Sequence, residues 1–211
     1  MKIKTLVLGL MANWCYIISE EDNNAILIDP AWSIKDIETY LKTENLIPKA
    51  VFFTHGHFDH VKRADAIIKK FKIPAYIEEG DAKVSEISAN LLETYKGDKK
   101  FKIGKLNIEI LHTPGHSEGS VCIKIGDNLF TGDTLFKTVC GRTDLPGSDP
   151  KKMQKSLKRL SQLPPKTKIF TGHEYNGYES TIEEELKTNH FLKMAITQWK
   201  NMQELQILTA H

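Results

Sequence analysis

The chain has 211 residues, of which 40% are hydrophobic and 27% charged, and its formal net charge is +2, a composition that is ordinary for a globular protein. This balance excludes the strongly basic surface of a typical nucleic-acid binder, and no apolar run is long enough to cross a bilayer, so we expect neither nucleic acid nor a membrane as partner. The cysteines, Cys15, Cys122 and Cys140, are widely spaced and form no Cys-x-x-Cys pair, which predicts a reduced, cytoplasmic protein.

The N-terminal part of the chain reads as strands followed by a helix. Apolar runs at 3–8 and 15–19 predict a β-hairpin rather than a targeting signal, because the first run is short. A third strand is predicted at 25–28. Apolar residues then recur at helical spacing and predict a helix at 33–43.

The most informative stretch follows a short apolar strand predicted at 50–53 and reads Thr-His-Gly-His-Phe-Asp-His. Its metal-capable side chains are His55, His57, Asp59 and His60. The first two histidines are two residues apart and point to one side of an extended segment, while the intervening glycine permits a tight turn. The aspartate and the last histidine can face a second point in space. Each histidine alone could be structural, but this cluster in a chain of eight histidines favours a metal site.

Three later segments repeat this design, in which a strand-like run ends at a glycine turn that carries a ligand-type residue. The ligand-type residues are His116 after the run at 106–111, Asp133 after the run at 128–130, and His173 after the run at 169–171. Four strand ends of the same kind predict a single site at the edge of a sheet.

The remaining periodic segments complete a chain of strand clusters separated by helices. Strands are predicted at 75–77 and 121–125, and helices at 61–71, 149–163 and 181–192, with a further helical piece towards the chain end.

The polar, poorly periodic segment 81–104 predicts a helix and a loop over the site. Strand clusters with helices between them predict two packed sheets flanked by helices. No low-complexity linker divides residues 1–211, so we expect a single domain.

The ordered motifs His-Gly-His-Phe-Asp-His, Pro-Gly-His, Gly-Asp and Gly-His resemble those of the metallo-β-lactamase fold superfamily. The resemblance implies an α/β fold, an αβ/βα four-layer sandwich of two mixed sheets flanked by helices, with a dinuclear metal site at one edge. Gly-Asp-Thr-Leu-Phe, Cys-Gly-Arg and Gly-His-Glu-Tyr in the second half further resemble glyoxalase II, a hydroxyacylglutathione hydrolase. The short spacing before Asn-His-Phe is similar to that of short glyoxalase II-like hydrolases, which implies a reduced C-terminal helical segment at about 177–211.

This resemblance implies ligands for two divalent ions, zinc first, with iron or manganese as alternatives. The first ion would be held by His55, His57 and His116, the second by Asp59, His60 and His173, and Asp133 would bridge them. The resemblance also implies Asp59 and Asp133 as the catalytic residues, because Asp59 would orient the attacking hydroxide and Asp133 would bridge the two ions.

Three further residues are candidates for contact with the substrate by the same resemblance: Arg142, Tyr175 and Lys193. Each could equally be a surface residue. His112 is expected to be structural, and Asp29 to form a turn or to support a ligand rather than to bind metal.

The implied reaction is hydrolysis of a small-molecule thioester, S-lactoylglutathione or a related hydroxyacyl thioester. A rival within the same fold is a persulfide dioxygenase with one iron held by His55, His116 and Asp133. A second alternative is a metal-bound hydrolase of another ester or a lactam. The sequence does not predict the oligomeric state.

Overall fold

The structure is a computed structural model, and it describes residues 1–9 and 11–197. The strands are β1 (Lys2–Leu8), β2 (Asn13–Ser19), β3 (Asn24–Ile28), β4 (Ile47–Phe52), β5 (Ala75–Glu78), β6 (Leu92–Tyr95), β7 (Lys99–Ile103), β8 (Leu106–His112), β9 (Val121–Ile125), β10 (Asn128–Gly132), β11 (Lys168–Thr171) and β12 (Glu179–Thr181). The helices are α1 (Ile34–Thr43), α2 (Phe58–Val61), α3 (Ala64–Phe71), α4 (Glu79–Ala82), α5 (Pro150–Leu160) and α6 (Ile182–Thr188). Residues 190–197 are also helical. The further helical piece predicted after residue 192 is observed as far as residue 197. The rest of it and the end of the 177–211 segment lie outside the described residues.

The strands form two mixed sheets. The first has the order β1-β2-β3-β4-β5-β6, antiparallel from β1 to β3 and parallel from β3 to β6. The second has the order β12-β11-β10-β9-β8-β7, in which only β10 and β11 run parallel. The predicted pair of mixed sheets is confirmed.

The buried apolar side chains form three clusters, one between the two sheets and one on the outer face of each sheet. Ile18 and Phe52 of the first sheet pack in one cluster with Ile110 and Phe130 of the second, so the sheets face each other. The other face of the first sheet packs against α1 and α3, and the other face of the second against α5 and α6. Because successive strand residues point to opposite faces, each sheet buries both sides, which confirms the four-layer sandwich.

Helix boundaries follow local capping. Ser33 precedes α1, and its side chain accepts a hydrogen bond from Asp36 N. Asp149 caps α5 through Lys151 N, with proline in the first turn, as is typical of helix starts. In the part of the chain that the structure describes, no helix is long and apolar enough to cross a bilayer.

The expectation for segment 81–104 was wrong. Only a short helix, α4, ends there, and the segment contributes β6 and β7, which form the outer strands of the two sheets. Both strands carry many exposed polar residues, because an edge strand buries little of its surface. Pairing with β5 and β8 makes them strands. Only β7 adds a short apolar alternation, in which Phe101 and Ile103 pack against the core between the sheets.

Three predicted helices also differ from the observed ones. The helix expected at 61–71 is divided into α2 and α3, because Arg63 leaves helical geometry. The helix expected at 149–163 ends at Leu160. The helix expected at 181–192 ends at Thr188, because the extended residue Asn189 interrupts it. The buried Asn189 side chain donates to Val139 O (3.0 Å) and accepts from Leu192 N (3.1 Å), so it caps the next helical stretch.

Candidate metal centre

The carboxyl ends of parallel strands from both sheets meet at one edge of the sandwich. His55 follows β4, Asp133 follows β10, and His173 follows β11. Backbone hydrogen bonds join these ends: Gly172 N donates to Gly132 O at 2.9 Å, and Trp14 N donates to Gly172 O at 2.8 Å. The predicted convergence of the strand ends at one site is therefore observed.

The first group of side chains comes from the β4–α2 turn and the β8–β9 connection. His55, His57 and His116 place one ring nitrogen each within 4.8 Å of one another. His57 Nδ1 lies 2.9 Å from His116 Nε2. One of the two nitrogens can donate to the other only if it carries the proton of its ring. When both are unprotonated, their lone pairs face each other, and a cation placed among them would satisfy both.

The second group combines α2 with the end of β11. Asp59, His60 and His173 also offer ligand atoms within 4.8 Å of one another. His173 Nε2 lies 3.2 Å from Asp59 Oδ2 and 3.2 Å from His60 Nε2. The short helix α2 directs Asp59 and His60 inward, and both are buried.

Asp133 lies between the two groups. Its Oδ2 is 3.5 Å from His116 Nε2 and 3.3 Å from His173 Nε2, while its Oδ1 is 3.4 Å from His60 Nε2. Asp133 also forms a third cluster with His55 and His60. One carboxylate thus contacts side chains of both histidine groups.

The outward nitrogens of these rings are held by fixed acceptors. His60 Nδ1 lies 2.9 Å from Asp29 Oδ2, His116 Nδ1 3.0 Å from Arg142 O, and His173 Nδ1 3.0 Å from Met11 O. These contacts set each ring so that Nε2 faces the site. Hydrogen bonds of this kind orient metal-binding histidines in proteins.

Two histidines in the second group have raised pKa values. Burial lowers the pKa of His60, but the charges of Asp133 and Asp29 outweigh it and raise the pKa to about 10. Burial also lowers the pKa of His173, but its hydrogen bonds to Asp133 and Asp59 raise the pKa to about 11. The carboxylates therefore attract positive charge to this part of the site.

The carboxylates themselves are strongly acidic. Burial raises the pKa of Asp59, but the hydrogen bond from His173 and the charge of His60 lower it to about 2. Burial likewise raises the pKa of Asp133, and the charge of His60 outweighs it, leaving the pKa well below its usual range. Burial and repulsion from His60 lower the pKa of His55, which keeps this ring neutral.

Two buried atoms in the centre show that the residues fit a metal. Of the described residues, His55 Nε2 and Asp133 Oδ1 are buried polar atoms without a hydrogen-bond partner. A neutral imidazole nitrogen and an ionised carboxylate oxygen are both acceptors, and leaving them unpaired in a protein interior is costly. Imidazole and carboxylate are also ligands that zinc and related divalent ions prefer.

Two supporting residues were missed by the sequence analysis. Asn13 Nδ2 donates to Asp59 Oδ2 at 2.9 Å. Asp81 Oδ2 accepts from Gly56 N (2.7 Å) and from the Ser117 hydroxyl (2.6 Å), which ties together the two turns that carry the first histidine group. Asn13 could have been found in the sequence, because it is a polar residue at the start of a buried strand. Asp81 offered no such signal, because it lies in the segment that we interpreted as a helix and a loop.

The three substrate candidates occupy different positions. Tyr175 is half exposed and stacks on His173, with ring centroids 5.3 Å apart. The exposed Arg142 guanidinium forms a two-pronged pair with Asp144, with both hydrogen bonds at 2.9 Å. Lys193 is exposed on the helical stretch 190–197. Of the three, only Tyr175 and Arg142 adjoin the candidate metal-ligating histidines, Tyr175 by its ring and Arg142 by its backbone carbonyl.

His112 and Asp29 take supporting positions, as expected. His112 Nε2 lies 3.0 Å from Glu118 O, and the ring belongs to none of the metal-capable clusters in the described residues. Asp29 accepts from Thr54 N at 2.8 Å as well as contacting His60. It therefore fixes the start of the His-Gly-His turn and the orientation of one ring.

Comparison with known proteins places these features in a family. Residues 8–173 match the family model described as Metallo-beta-lactamase superfamily. The chain is 33% identical over 175 residues to a probable polyketide biosynthesis zinc-dependent hydrolase, PksB, of Bacillus subtilis, a match covering 82% of this chain and 77% of that protein. It is 33% identical over 211 residues to the probable metallo-hydrolase YqgX of the same species, covering 91% and 98%. A hydroxyacylglutathione hydrolase of Xylella fastidiosa is 32% identical over 164 residues, which cover 77% of this chain and 60% of that protein.

Solved structures show the same architecture. The BLEG-1 B3 metallo-beta-lactamase superposes with a TM-score of 0.80 at 32% identity, covering 90% of this chain and 99% of that one. ETHE1 from Myxococcus xanthus gives a TM-score of 0.79 at 29% identity, covering 90% and 84%. TTHA1623 in a di-iron-bound form gives 0.75 at 32% identity, covering 89% and 99%.

Proposed function

The chain belongs to the metallo-beta-lactamase superfamily, and from that membership we propose that it is a metal-dependent hydrolase that cleaves a small-molecule thioester. The observation that carries the proposal is the position of Asp133, whose two oxygens contact histidines of both groups. A carboxylate in that position suits a pair of cations better than a single one. The named zinc-dependent relative supports zinc as the first choice of ion.

We assign the ligands by group. The first ion would be held by His55, His57 and His116, the second by Asp59, His60 and His173, with Asp133 shared between them. Bound divalent ions would lower the pKa of a water molecule towards about 7 and polarise a substrate carbonyl.

The residues of the chain would then orient the reactants. Asp59 is ionised at neutral pH, because its pKa is about 2, so its carboxylate can accept a hydrogen bond and direct the attacking water. Asn13 holds that carboxylate in place. The leaving thiol has an ordinary pKa of about 8.5 and can depart as a thiolate. The reaction therefore requires no strong proton donor among the side chains.

The thiol part of the substrate would lie towards Tyr175 and Arg142. Tyr175 offers a half-exposed ring beside His173. Arg142 could bind a carboxylate of the thiol, although that carboxylate would compete with Asp144. Lys193, on the helical stretch 190–197, is likewise proposed to contact the thiol part of the substrate. Similarity to a hydroxyacylglutathione hydrolase supports a glutathione thioester such as S-lactoylglutathione.

An oxidative function is the second candidate. His55, His116 and Asp133 supply two imidazoles and a carboxylate, the ligand set of mononuclear iron oxygenases. Similarity to ETHE1 from Myxococcus xanthus supports this candidate, and TTHA1623 in a di-iron-bound form shows that a similar protein can hold iron. On this alternative the chain would be a persulfide dioxygenase with one iron.

Hydrolysis of a lactam or another ester is the third candidate, and the similarity to a B3 metallo-beta-lactamase supports it.

Metal analysis and a substrate panel test the proposal together. The purified protein is assayed for metal content and for hydrolysis of S-lactoylglutathione, simple thioesters, oxygen esters and a chromogenic cephalosporin, and for oxygen uptake with glutathione persulfide. We expect two ions per chain and thioester hydrolysis. One iron per chain with oxygen uptake would establish the dioxygenase instead, and lactam turnover without thioester turnover would establish the third candidate.

A further inference from the structure

A cleft borders the metal centre at His57. It is lined by His57 and Phe58 on one side and by the loop at residues 84–87 on the other. Its volume of about 620 Å³ lies within the range of small-molecule binding sites. Because His57 is a proposed ligand, a group bound in this cleft would adjoin the reacting atoms.

The mouth of the cleft is unusually apolar. Phe58 is 62% exposed and Val84 61% exposed, the largest values among the large apolar side chains of the described residues. Both line the cleft, with Val61 and Ile87 contributing further apolar surface. Exposed apolar side chains gathered at one concave place, rather than scattered singly, mark a surface that contacts another apolar group.

The polar side chains around the cleft are already engaged. Lys62 Nζ lies 4.7 Å from the centre of the Trp32 ring. The Asp65 carboxylate accepts from Ser88 N at 3.0 Å, from the Ser88 hydroxyl at 2.7 Å and from Ala89 N at 3.0 Å. These contacts leave apolar surface as the main means of recognition. Glu86, exposed at the rim, would repel an anionic ligand.

The cleft wall is rigidly connected to the metal-binding turn. Ser85 N donates to Asp81 O at 2.9 Å, and the Asp81 carboxylate accepts from Gly56 N at 2.7 Å. The loop at residues 84–87 is therefore anchored through Asp81 to the turn between His55 and His57. These hydrogen bonds position one wall of the cleft relative to the metal centre.

We propose that this cleft binds the acyl group of the substrate and favours an uncharged, apolar chain larger than the lactoyl group. The inference rests on the proposed thioester hydrolysis and deepens it. The thioester carbonyl would lie at the metal centre, the acyl chain between Phe58 and Val84, and the thiol part on the opposite side, towards Tyr175.

A homologous substrate series tests this assignment. The metal-loaded enzyme is assayed with N-acetylcysteamine thioesters from acetyl to octanoyl, so that only the acyl chain changes. We expect kcat/KM to rise about three- to fourfold for each added methylene while the cleft fills, the factor that corresponds to burial of one methylene. In Phe58→Ala and Val84→Asp the dependence on chain length should flatten. Ile47→Ala is the matched control, because Ile47 is 52% exposed but begins β4, far from the strand end that carries the site.

A binding measurement separates this inference from the proposed reaction. Non-hydrolysable S-alkyl N-acetylcysteamine thioethers, methyl to octyl, are titrated calorimetrically into the same metal-loaded proteins. Affinity should increase with chain length, with an increasingly negative heat-capacity change, the signature of apolar burial. A chain-length dependence of binding without any thioester hydrolysis would support the cleft and reject the hydrolase. Hydrolysis and binding that are both independent of chain length, or unaltered in Phe58→Ala and Val84→Asp, would overturn the cleft assignment.

Discussion

The side chain of Asn13 at the start of β2 holds the carboxylate of Asp59 on α2, with Nδ2 2.9 Å from Oδ2. The orientation of the amide is determined by a third residue, because Trp32 Nε1 donates to Asn13 Oδ1 at 3.1 Å. An indole N–H can only donate, so the amide oxygen must face Trp32 and the amide nitrogen must face Asp59. A contact between residues 46 positions apart therefore presets one proposed ligand.

Replacing Asn13 should weaken the second proposed ion site. Asn13→Leu removes the donor to Asp59 while keeping a similar volume, and loss of such supporting contacts costs about 10–100-fold in metal affinity. Zinc affinity measured against a competing chelator should fall by that factor. Trp32→Phe, which removes the indole N–H together with part of the ring, should have a smaller effect on zinc affinity. Unchanged affinity in Asn13→Leu would show that Asp59 is positioned without this hydrogen bond.

Replacing Asp133 should remove metal and turnover together. Its carboxylate contacts both histidine groups, so Asp133→Ala should reduce metal affinity by more than the roughly 10–100-fold expected for a supporting residue. Metal content and thioester hydrolysis are measured on the same preparation. Asp22→Ala serves as control, because Asp22 forms an exposed ion pair with Lys105 away from the site. Full metal content and turnover in Asp133→Ala would defeat the shared-ligand assignment.

Any side chain at Gly172 should disturb the metal centre, because an added Cβ would clash with neighbouring atoms. A Cβ at this position would meet Asp133 Oδ1 and lie 2.9 Å from Gly132 C. Gly172→Ala should therefore displace the Asp133 carboxylate, lower metal content, and destabilise the fold by about 1–3 kcal/mol, the usual cost of overpacking. Chemical denaturation and metal analysis test both effects.

The matched control for that variant is Gly97→Ala. Gly97 has positive φ (66°) but no atom within 4 Å of an added Cβ. This variant should lose only the roughly 1–2 kcal/mol of a strained backbone and should retain its metal. Metal loss in Gly97→Ala equal to that in Gly172→Ala would point to general destabilisation instead.

An ion pair outside the site should make stability depend on acid pH. Asp98 accepts from Arg159 Nη2 at 2.6 Å and from His112 N at 2.9 Å, linking α5 to β8. The hydrogen bond from Arg159 lowers the pKa of Asp98 below its ordinary value of 3.8. Because the folded pKa is the lower one, the stabilisation is present above pH 3.8 and is lost as the pH falls through the folded value.

Asp98→Asn should accordingly destabilise the protein by about 0.5–1 kcal/mol at neutral pH, the magnitude of a partly exposed pair. The difference from the unmodified chain, measured by urea unfolding, should shrink as the pH falls below 3.8. Asp22→Asn, at an exposed pair, should show little difference at any pH. A difference for Asp98→Asn that persists undiminished into acid would mean that the ion pair is not its cause.

The sequence by itself predicted the kind of fold and the residues that converge. Metal binding requires imidazole and carboxylate groups, and few residue types supply them, so the His-Gly-His-Phe-Asp-His motif is visible in the chain without any structure. Apolar alternation in β8 and the apolar runs of β2 and β9 likewise predicted strands. β2 and β9 are buried along nearly their whole length, and β8 buries every second residue from Leu106 to Ile110. Assignment of the residues to individual ions stays a prediction.

Tertiary structure alone decided the features that depend on partners far apart in the chain. The edge strands β6 and β7 have at most a short apolar pattern, Phe101 and Ile103 in β7, and they are strands because they pair with β5 and β8. The contact of Asn13 with Asp59, and the cleft between Phe58 and Val84, arise from packing of separate elements. Local sequence specifies propensity and chemistry, whereas hydrogen bonds and cavities between distant residues exist only once the sheets and helices have packed together.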